Sequence, residues 1–275
     1  MKTTTHPTLP WTLNFNPTVH LYTDQDGRPY ESVTKFISRH FAPFDEPAAL
    51  TRQAAATGRL EMDIVAEWRR KRDQAAEFGK RVHAYAESLV LGTTPPAPTD
   101  EADARALRIV DRALATLAHA YEFLGAEVMV FDPLYLLAGT IDLPARNKLT
   151  GALAILDWKT CESITSDAYG KRALPPIDTV PDSKVNHYAL QLSTYAWLLT
   201  APGYTAYPSE GEPVELAMIH IPHIGEDPVW RPLPYLADEV TRMVQAAADA
   251  RYGIVGGSVG WDGQGSPVKT PCMAS

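Results

Sequence analysis

Two aspartates and a lysine lie close together between Gly139 and Thr160. The stretch reads Gly-Thr-Ile-Asp, a short turn, and then Ala-Ile-Leu-Asp-Trp-Lys-Thr, so Asp142 is followed by Asp157 and Lys159. Side chains at positions i and i+2 of a strand share a face, so Asp157 and Lys159 are predicted to point the same way. Two carboxylates and a lysine at one point are groups that metal-dependent phosphodiester cleavage can use. The sequence therefore predicts the site of a metal-dependent nuclease.

Two short strands must carry these side chains. The apolar run from Leu153 to Leu156 predicts a strand that delivers Asp157 at its end. Residues 136–143 predict the preceding strand, and residues 144–151, which are rich in turn-forming types, predict the connection. If the two strands pair as a hairpin, Asp142 lies beside Asp157.

Converging carboxylates repel each other unless a proton or a cation lies between them. Mg²⁺ commonly binds one or two carboxylates, several waters and substrate phosphate, so a hard divalent cation fits this pair. The backbone carbonyl of Trp158 is expected near the same point, although its side chain faces away. Lys159 would hold a water or neutralise charge on the reacting phosphate, and a lowered lysine pKa would be an optional refinement. An Asp-x-Lys pair also occurs as a solvated ion pair, but an apolar strand leading to it favours a functional site.

A predicted helix from Lys184 to Thr200 carries a second group of polar residues. Its apolar face is formed by Leu190, Thr194, Trp197 and Leu198. Gln191 and Tyr195 lie one turn apart on another face. These two could bond the lysine, a water or a nucleic-acid phosphate, or they could form an ordinary polar flank.

A further helical pattern runs from Trp68 to Val90 and contains His83 and Glu87 at positions i and i+4. Both side chains could face one site. The second histidine of a zinc-protease motif is missing, and a single helix histidine is more often packed or exposed than a ligand. The His83–Glu87 pair indicates a functional site only in combination with the other motifs.

In their order along the chain, these motifs resemble the RecB-like branch of the PD-(D/E)XK nuclease superfamily. The matching positions are Gly79 with His83 and Glu87, Gly139 with Asp142, Asp157 with Lys159 and Thr160, and Gln191 with Tyr195. The resemblance spans residues 30–200. Within the branch, the chain looks most like the phage and mitochondrial genome maintenance exonucleases, because a Tyr-Glu-Ser-Val-Thr segment precedes the histidine helix.

This resemblance implies roles for individual residues. Metal ligands would be His83, Asp142, Asp157 and the Trp158 carbonyl, and the catalytic set would be Lys159, Asp157, Asp142, Gln191 and Tyr195. Glu87 and Thr160 would support the site, while Tyr195, Ser32 and Thr34 would contact DNA. The cofactor would be Mg²⁺ or Mn²⁺. An iron–sulfur cluster of the kind some relatives hold on four cysteines is not expected, because this chain has two cysteines.

Composition and pattern predict one α/β domain over residues 1–252, with a mixed central sheet flanked by helices. The resemblance implies that this domain has a restriction-endonuclease-like core. Residues 18–124 would form an N-terminal hairpin and helices, which build a wall or arch over the site, and residues 125–252 the catalytic core. Residues 253–275 are rich in Gly, Ser and Pro and predict a mobile tail. No membrane-length apolar run or signal peptide is evident, so we expect a soluble cytoplasmic protein of a bacterial host or bacteriophage, with no membrane partner.

Local signals predict most of the remaining elements. They are a hairpin over 19–30, a helix capped by Ser32, helices over 47–60, 62–90, 100–123 and 236–252, and strands beginning at 127 and 214. The proline-containing residues 161–183 are expected to become ordered around substrate.

The net charge of −8 argues against a protein that coats DNA passively. Basic residues nevertheless cluster beside the histidine motif and could steer phosphates toward it, or form a solvated face. They are Arg69, Arg70, Lys71, Arg72, Lys80 and Arg81. Among these, Arg69, Arg72 and Lys80 are the predicted DNA contacts.

The leading hypothesis is a Mg²⁺- or Mn²⁺-dependent DNA exonuclease. By resemblance, it would act on single strands or free ends during recombination, repair or replication of a phage-like genome, with recombination or replication proteins as possible partners. The first alternative is a nuclease-like module that binds DNA or protein without catalysis. The second is a metal-independent binding or scaffold protein in which the motifs are coincidental surface charge. The third is an endonuclease that is specific for a sequence or a structure.

Overall fold

The computed structural model describes residues 1–200, 204, 213–222 and 227–253, together with the backbone of two strands at 258–261 and 267–270. It is an α/β fold with mixed sheets and helices, as expected. The helices are α1 (Val33–Ser38), α2 (Glu46–Thr57), α3 (Glu61–Leu91), α4 (Glu101–Ala120), α5 (Lys184–Thr200) and α6 (Ala237–Tyr252). None of these described helices combines the length and the apolar composition that crossing a membrane requires.

Local capping signals set several helix ends. Ser32 accepts a hydrogen bond from the Lys35 N–H at 3.3 Å and caps α1, as predicted. Gly58 adopts a left-handed conformation and ends α2, so the helix predicted over 47–60 stops at Thr57. The bounds of α5 agree with the sequence prediction to the residue. The predicted helix over 100–123 is too long, because α4 ends at Ala120 and a strand follows.

The strands form two large sheets. One has the order β1 (Lys2–Thr5), β2 (Thr12–Asn16), β3 (Leu21–Asp24), β4 (Pro29–Ser32), β7 (Leu137–Ile141) and β6 (Val128–Asp132). The other has the order β11 (Val229–Leu233), β10 (Val214–His220), β9 (Leu153–Lys159), β8 (Leu143–Asn147) and β5 (Tyr121–Phe123). The β4–β7 and β9–β10 pairs are parallel, and the other pairs are antiparallel.

The chain passes from one sheet to the other at Asp142. β7 pairs with β6 and β4, whereas β8 pairs with β9 and β5. The predicted hairpin between 136–143 and the strand at 153 is therefore wrong in its pairing, because four of the five residues of β8 lie within the residues predicted as a turn. Only residues 148–152 separate β8 from β9. Asp142 thus occupies the bend where two sheets separate.

Helices cover both faces of the β9 sheet. Leu153 and Ile155 point into a core shared with α1, α5 and α6. Leu156 and Trp158, on the alternate face, pack in a second core with α3 and α4. The apolar run of β9 is buried from both sides, which explains why it lacks the polar alternation of a one-sided strand.

Residues 161–183 do not match the expectation of a segment that orders only with substrate. Ala173, Ile177 and Val180 are buried in the core beside α5. The N–H of Leu174 donates to the His40 carbonyl at 2.7 Å, which fastens this loop to the end of α1. Burial of these three apolar side chains favours a folded loop in the absence of DNA.

The predicted C-terminal tail contains a hairpin. β12 (Ser258–Trp261) and β13 (Pro267–Thr270) pair in antiparallel register as a small separate sheet. These eight residues form strands within the segment that is predicted to be a mobile tail, and its remaining residues from 254 onward lie outside the described part of the chain.

Candidate active site

The two aspartates are brought together by the register of β8 on β9. Leu143 pairs with Leu156, so Asp142 and Asp157 stand one step further along this antiparallel ladder. Oδ2 of Asp142 accepts a 2.8 Å hydrogen bond from the Trp158 N–H. This contact confirms the predicted neighbourhood of Asp142 and Asp157, although the strand that delivers Asp142 pairs differently. The Trp158 carbonyl points to the same edge of β9 as its N–H, since both groups of a strand residue face one neighbour.

Asp157 and Lys159 share a face of β9, as predicted, and form a close ion pair. Their side chains are 4% and 16% exposed, so the pair is not a solvated surface contact. Nζ of Lys159 also lies 4.6 Å from the centre of the Tyr188 ring on α5, a cation–π contact. The Tyr188 contact was not predicted, because a tyrosine on the flank of an amphipathic helix gives no signal of its own.

His83 reaches this region from α3. Its Nδ1 atom lies 3.5 Å from Oδ2 of Asp142 and 3.2 Å from Oε1 of Glu127. One ligand atom from each of these three residues falls within 4.8 Å of the others, and the group could hold a metal ion. The predicted His83–Asp142 pair is thus brought together by contacts between α3 and the sheet bend.

Glu127 is the acid that sequence analysis missed. It precedes β6, and its N–H donates to the carbonyl of Asp142 at 2.9 Å. Val128 pairs with Ile141, so Glu127 stands opposite Asp142 at the end of the β6–β7 ladder. The sequence prediction paired residues 136–143 with the strand at 153 and therefore did not place Glu127 beside Asp142. Pairing β7 with β6 would have predicted this contact.

The charges in this site strongly perturb each other. Burial works against protonation of His83, but the carboxylates of Asp142 and Glu127 outweigh it and raise its pKa to about 9. Burial also raises the pKa of Asp157 to about 6, with Lys159 opposing the change. Burial and then Glu127 act to raise the pKa of Asp142 against the opposing charges of His83 and Lys159. Buried acids with raised pKa values are groups that a bound cation would return to the charged form.

The optional refinement of a lowered lysine pKa is wrong. Burial alone would lower the pKa of Lys159, but Asp157 and Asp142 reverse this effect and raise it. The ammonium therefore remains protonated at neutral pH, and in the metal-free protein it serves as a charge partner instead of a base.

Two glycines of the predicted motifs allow close approach at the site. A Cβ atom on Gly79 would lie 3.2 Å from Oγ1 of Thr160, so α3 packs directly against the residue after Lys159. A Cβ atom on Gly139 would lie only 2.5 Å from Cε1 of Tyr195. The absence of a side chain at Gly139 is what lets the α5 tyrosine lie on β7.

Three further residues of the predicted site each have different contacts: Gln191, Glu87 and Thr160. Gln191 donates to the Tyr195 hydroxyl at 3.2 Å, so these two support each other as expected of a motif pair. Glu87 instead accepts a 2.8 Å bond from Lys2 at the N-terminus, and Glu127 takes the place beside His83 that Glu87 was expected to share. Thr160 lies beside Gly79 at the end of β9.

The predicted DNA contacts divide into buried and exposed residues. Ser32 and Tyr195 are 5% and 4% exposed; Ser32 caps α1, and Tyr195 packs against Gly139. Arg81, which belonged to the basic cluster, is paired with the buried Asp103 of α4. The other predicted DNA contacts are exposed to solvent; they are Thr34, Arg69, Arg72 and Lys80.

No protein-family model matches the chain, and no curated protein matches its sequence. We therefore infer the function from the arrangement of the residues in this site.

Proposed function

We propose that the protein is a metal-dependent DNA exonuclease that hydrolyses phosphodiester bonds, acting on single strands or free ends. We further propose that its two-sheet α/β body is a restriction-endonuclease-like core of the RecB-like type. The single observation that carries the proposal is the meeting of His83, Asp142 and the Asp157–Lys159 pair, which come from three separate parts of the chain.

The donor atoms of the site fit a divalent cation. Asp142, Asp157 and the Trp158 carbonyl offer oxygen, and His83 offers an imidazole nitrogen. Ligand atoms of His83, Asp142 and Glu127 lie within 4.8 Å of one another, whereas Asp157, which pairs with Lys159, lies beside this group and outside it. Hard oxygen donors suit Mg²⁺ and Mn²⁺, and the imidazole improves the match to Mn²⁺. When bound, such a cation would polarise the scissile phosphate and activate a water.

Lys159 supplies a fixed positive charge next to this donor group. It is almost completely buried and is held by Asp157 on one side and by the Tyr188 ring on the other. A preorganised ammonium of this kind can stabilise negative charge that develops on the phosphate oxygens. The raised pKa of Lys159 favours this electrostatic role over proton abstraction.

Gln191 and Tyr195 act behind these charged groups. Tyr195 lies against Gly139, three residues before Asp142, and Gln191 holds its hydroxyl. Their contacts fix α5 on β7 and thereby the bend that presents Asp142. We therefore assign them positioning roles.

The proposal can be tested with linear and closed-circular DNA of one sequence, incubated with Mg²⁺ or Mn²⁺. An exonuclease degrades only the linear form, whereas cleavage of the circle identifies an endonuclease instead. Asp142→Asn is the matched control, since it removes one carboxylate charge while keeping the shape of the side chain. Binding of DNA without cleavage under either metal would contradict the proposal and identify a non-catalytic binding module.

A further inference from the structure

One face of α3 leads away from the site. The helix is continuous from Glu61 to Leu91, and successive residues of an α-helix turn by about 100° with about 1.5 Å of rise. His83 and Gly79 orient one side of α3 toward Asp142 and Thr160. From residue 65 onward, the residues that precede His83 within about 40° of its direction are Val65, Arg69, Arg72, Ala76 and Gly79. None of these five is acidic, and this set is called the site face below.

The other basic residues of the run point elsewhere. Arg70 lies about 140° from the direction of His83, and Lys71 lies about 120° away on the other side. Lys71 pairs with Glu67 at 2.7 Å, one turn earlier on α3. The opposite side of the helix is also where Arg81 meets Asp103 of α4. The basic run therefore divides into two faces, although its residues are consecutive in sequence.

The site-face arginines are available to an anion. Arg72 has a side chain 71% exposed and makes one ion pair, with Asp73 at 3.6 Å, which is itself exposed. Arg69 is also exposed. Exposed ion pairs of this kind contribute little, so a phosphate can replace the aspartate at small cost.

The small residues of the same face leave room for a strand. Ala76 and Gly79 lie between Arg72 and His83, and neither projects a long side chain over the helix. Along the axis, Arg72 lies about 16 Å and Arg69 about 21 Å from His83. Arg72 and Arg69 therefore lie one after the other at increasing distance from His83 on the same side of α3, and both are exposed.

We propose that the site face of α3 is a phosphate track, on which Arg72 and Arg69 bind the backbone of the strand whose scissile phosphate lies at the site. The proposal rests on the proposed nuclease function and specifies its substrate as one strand that extends beyond the scissile bond. Phosphates of a stacked strand are spaced about 3.4 Å apart, so Arg69 is reached within roughly six nucleotides, and within fewer on an extended strand.

The matched pair Arg72→Ala and Arg70→Ala tests this assignment. Both changes remove an exposed arginine from the same turn of α3, but only Arg72 belongs to the site face. Binding of a labelled ten-nucleotide single strand is measured between 50 and 300 mM salt in a Lys159→Ala background, which prevents cleavage. Each phosphate contact contributes about 0.7 to the slope of log affinity against log salt. We expect Arg72→Ala to reduce the slope by about 0.7, Arg69→Ala/Arg72→Ala by about 1.4, and Arg70→Ala to leave it unchanged.

A length series gives a second, independent readout. Cleavage of oligonucleotides from two to ten nucleotides is compared for the double variant and Arg70→Ala, both with Lys159 intact. The double variant should match Arg70→Ala on dinucleotides and fall several-fold behind it once the strand is long enough to reach the arginines. Equal slopes for Arg70→Ala and Arg72→Ala, or equal losses at every length, would overturn the phosphate track. If the wild type neither binds nor cleaves DNA, the proposed function itself fails and the track fails with it.

Discussion

At the scale of single residues, the site is a group of charges that the fold keeps close at an energetic cost. Asp157 is buried, and burial raises the pKa values of both Asp142 and Asp157. Lys159 and His83 offset part of the cost, but a cation with oxygen ligands would offset it more fully. The arrangement is therefore expected to gain stability when a divalent metal binds.

This expectation separates the role of Lys159 from that of Asp157. Mn²⁺ should raise the thermal midpoint of the wild type and of Lys159→Ala, because the lysine is not a ligand. Asp157→Asn should lose the metal-dependent increase, and both variants should lose DNA cleavage. Thermal unfolding with and without Mn²⁺, followed by a cleavage assay, measures both effects. Cleavage by a highly purified Lys159→Ala protein would show that the chemistry occurs elsewhere.

His83 gives a prediction about pH in the metal-free protein. Its pKa is about 9 in the folded chain against 6.5 ordinarily, so folding favours the protonated ring. The stabilisation is complete below pH 6.5 and is lost as the pH rises through 9. We expect it to be on the order of 2 kcal/mol, since one pKa unit corresponds to about 1.4 kcal/mol and the partly exposed ring is screened by solvent.

The measurement is the difference in free energy of unfolding between the wild type and His83→Gln, in EDTA, from pH 6 to pH 10. The difference should shrink between pH 6.5 and 9. His119→Gln, at an exposed histidine of the last turn of α4, is the control. A difference that stays constant over this range would mean that Asp142 and Glu127 do not stabilise the charged ring.

At the scale of elements, close contacts between helices and strands hold the site residues in place. α3 approaches β9 at Gly79, and α5 approaches β7 at Gly139. Both glycines belong to motifs that were found in the sequence, but their partners across the fold were not predicted. The motifs show that positions 79 and 139 are glycine, but they do not show that Thr160 and Tyr195 pack against these positions.

Gly139→Ala tests the second of these contacts. The added methyl group would meet the Tyr195 ring at 2.5 Å, so we expect a loss of about 1–3 kcal/mol in stability from overpacking. In a Tyr195→Leu background the ring is absent, and the same substitution should cost clearly less. Urea unfolding of the four proteins gives the coupling energy between the two positions. Strictly additive losses would show that Tyr195 does not limit the space at Gly139.

Local sequence patterns predict much of the order of helices and strands. The errors occur where the structure of a segment depends on the strand with which it pairs. The helix over 184–200 was predicted to the residue, because its apolar spacing and following breakers agree. Tyr121–Phe123 continues the pattern of α4 but pairs with Ala145–Asn147 as β5, a contact that no local signal announces. Glu127 was missed for the same reason, since its role depends on β6 pairing with β7. Asp142 and Asp157 were nevertheless predicted correctly as neighbours.

In the molecule as a whole, the two large sheets separate at one of the two site aspartates. Asp142 lies at the bend between β7 and β8, so its carboxylate is presented where the sheets diverge instead of within a continuous ladder. The net charge of −8 is compatible with a nucleic-acid substrate because α3 carries a local run of four consecutive basic residues, from Arg69 to Arg72. A bound cation would also reduce the negative charge at the site itself.

Degradation of labelled DNA gives the sharpest test of whether these residues form the metal-dependent nuclease that we propose. Linear single-stranded DNA labelled at one end is incubated with the wild type in Mg²⁺, in Mn²⁺ and in EDTA, with Lys159→Ala as the contamination control. We predict loss of the DNA with either metal, no loss in EDTA, and no loss with the variant. Intact DNA under every divalent metal, or equal degradation by Lys159→Ala, would contradict the claim.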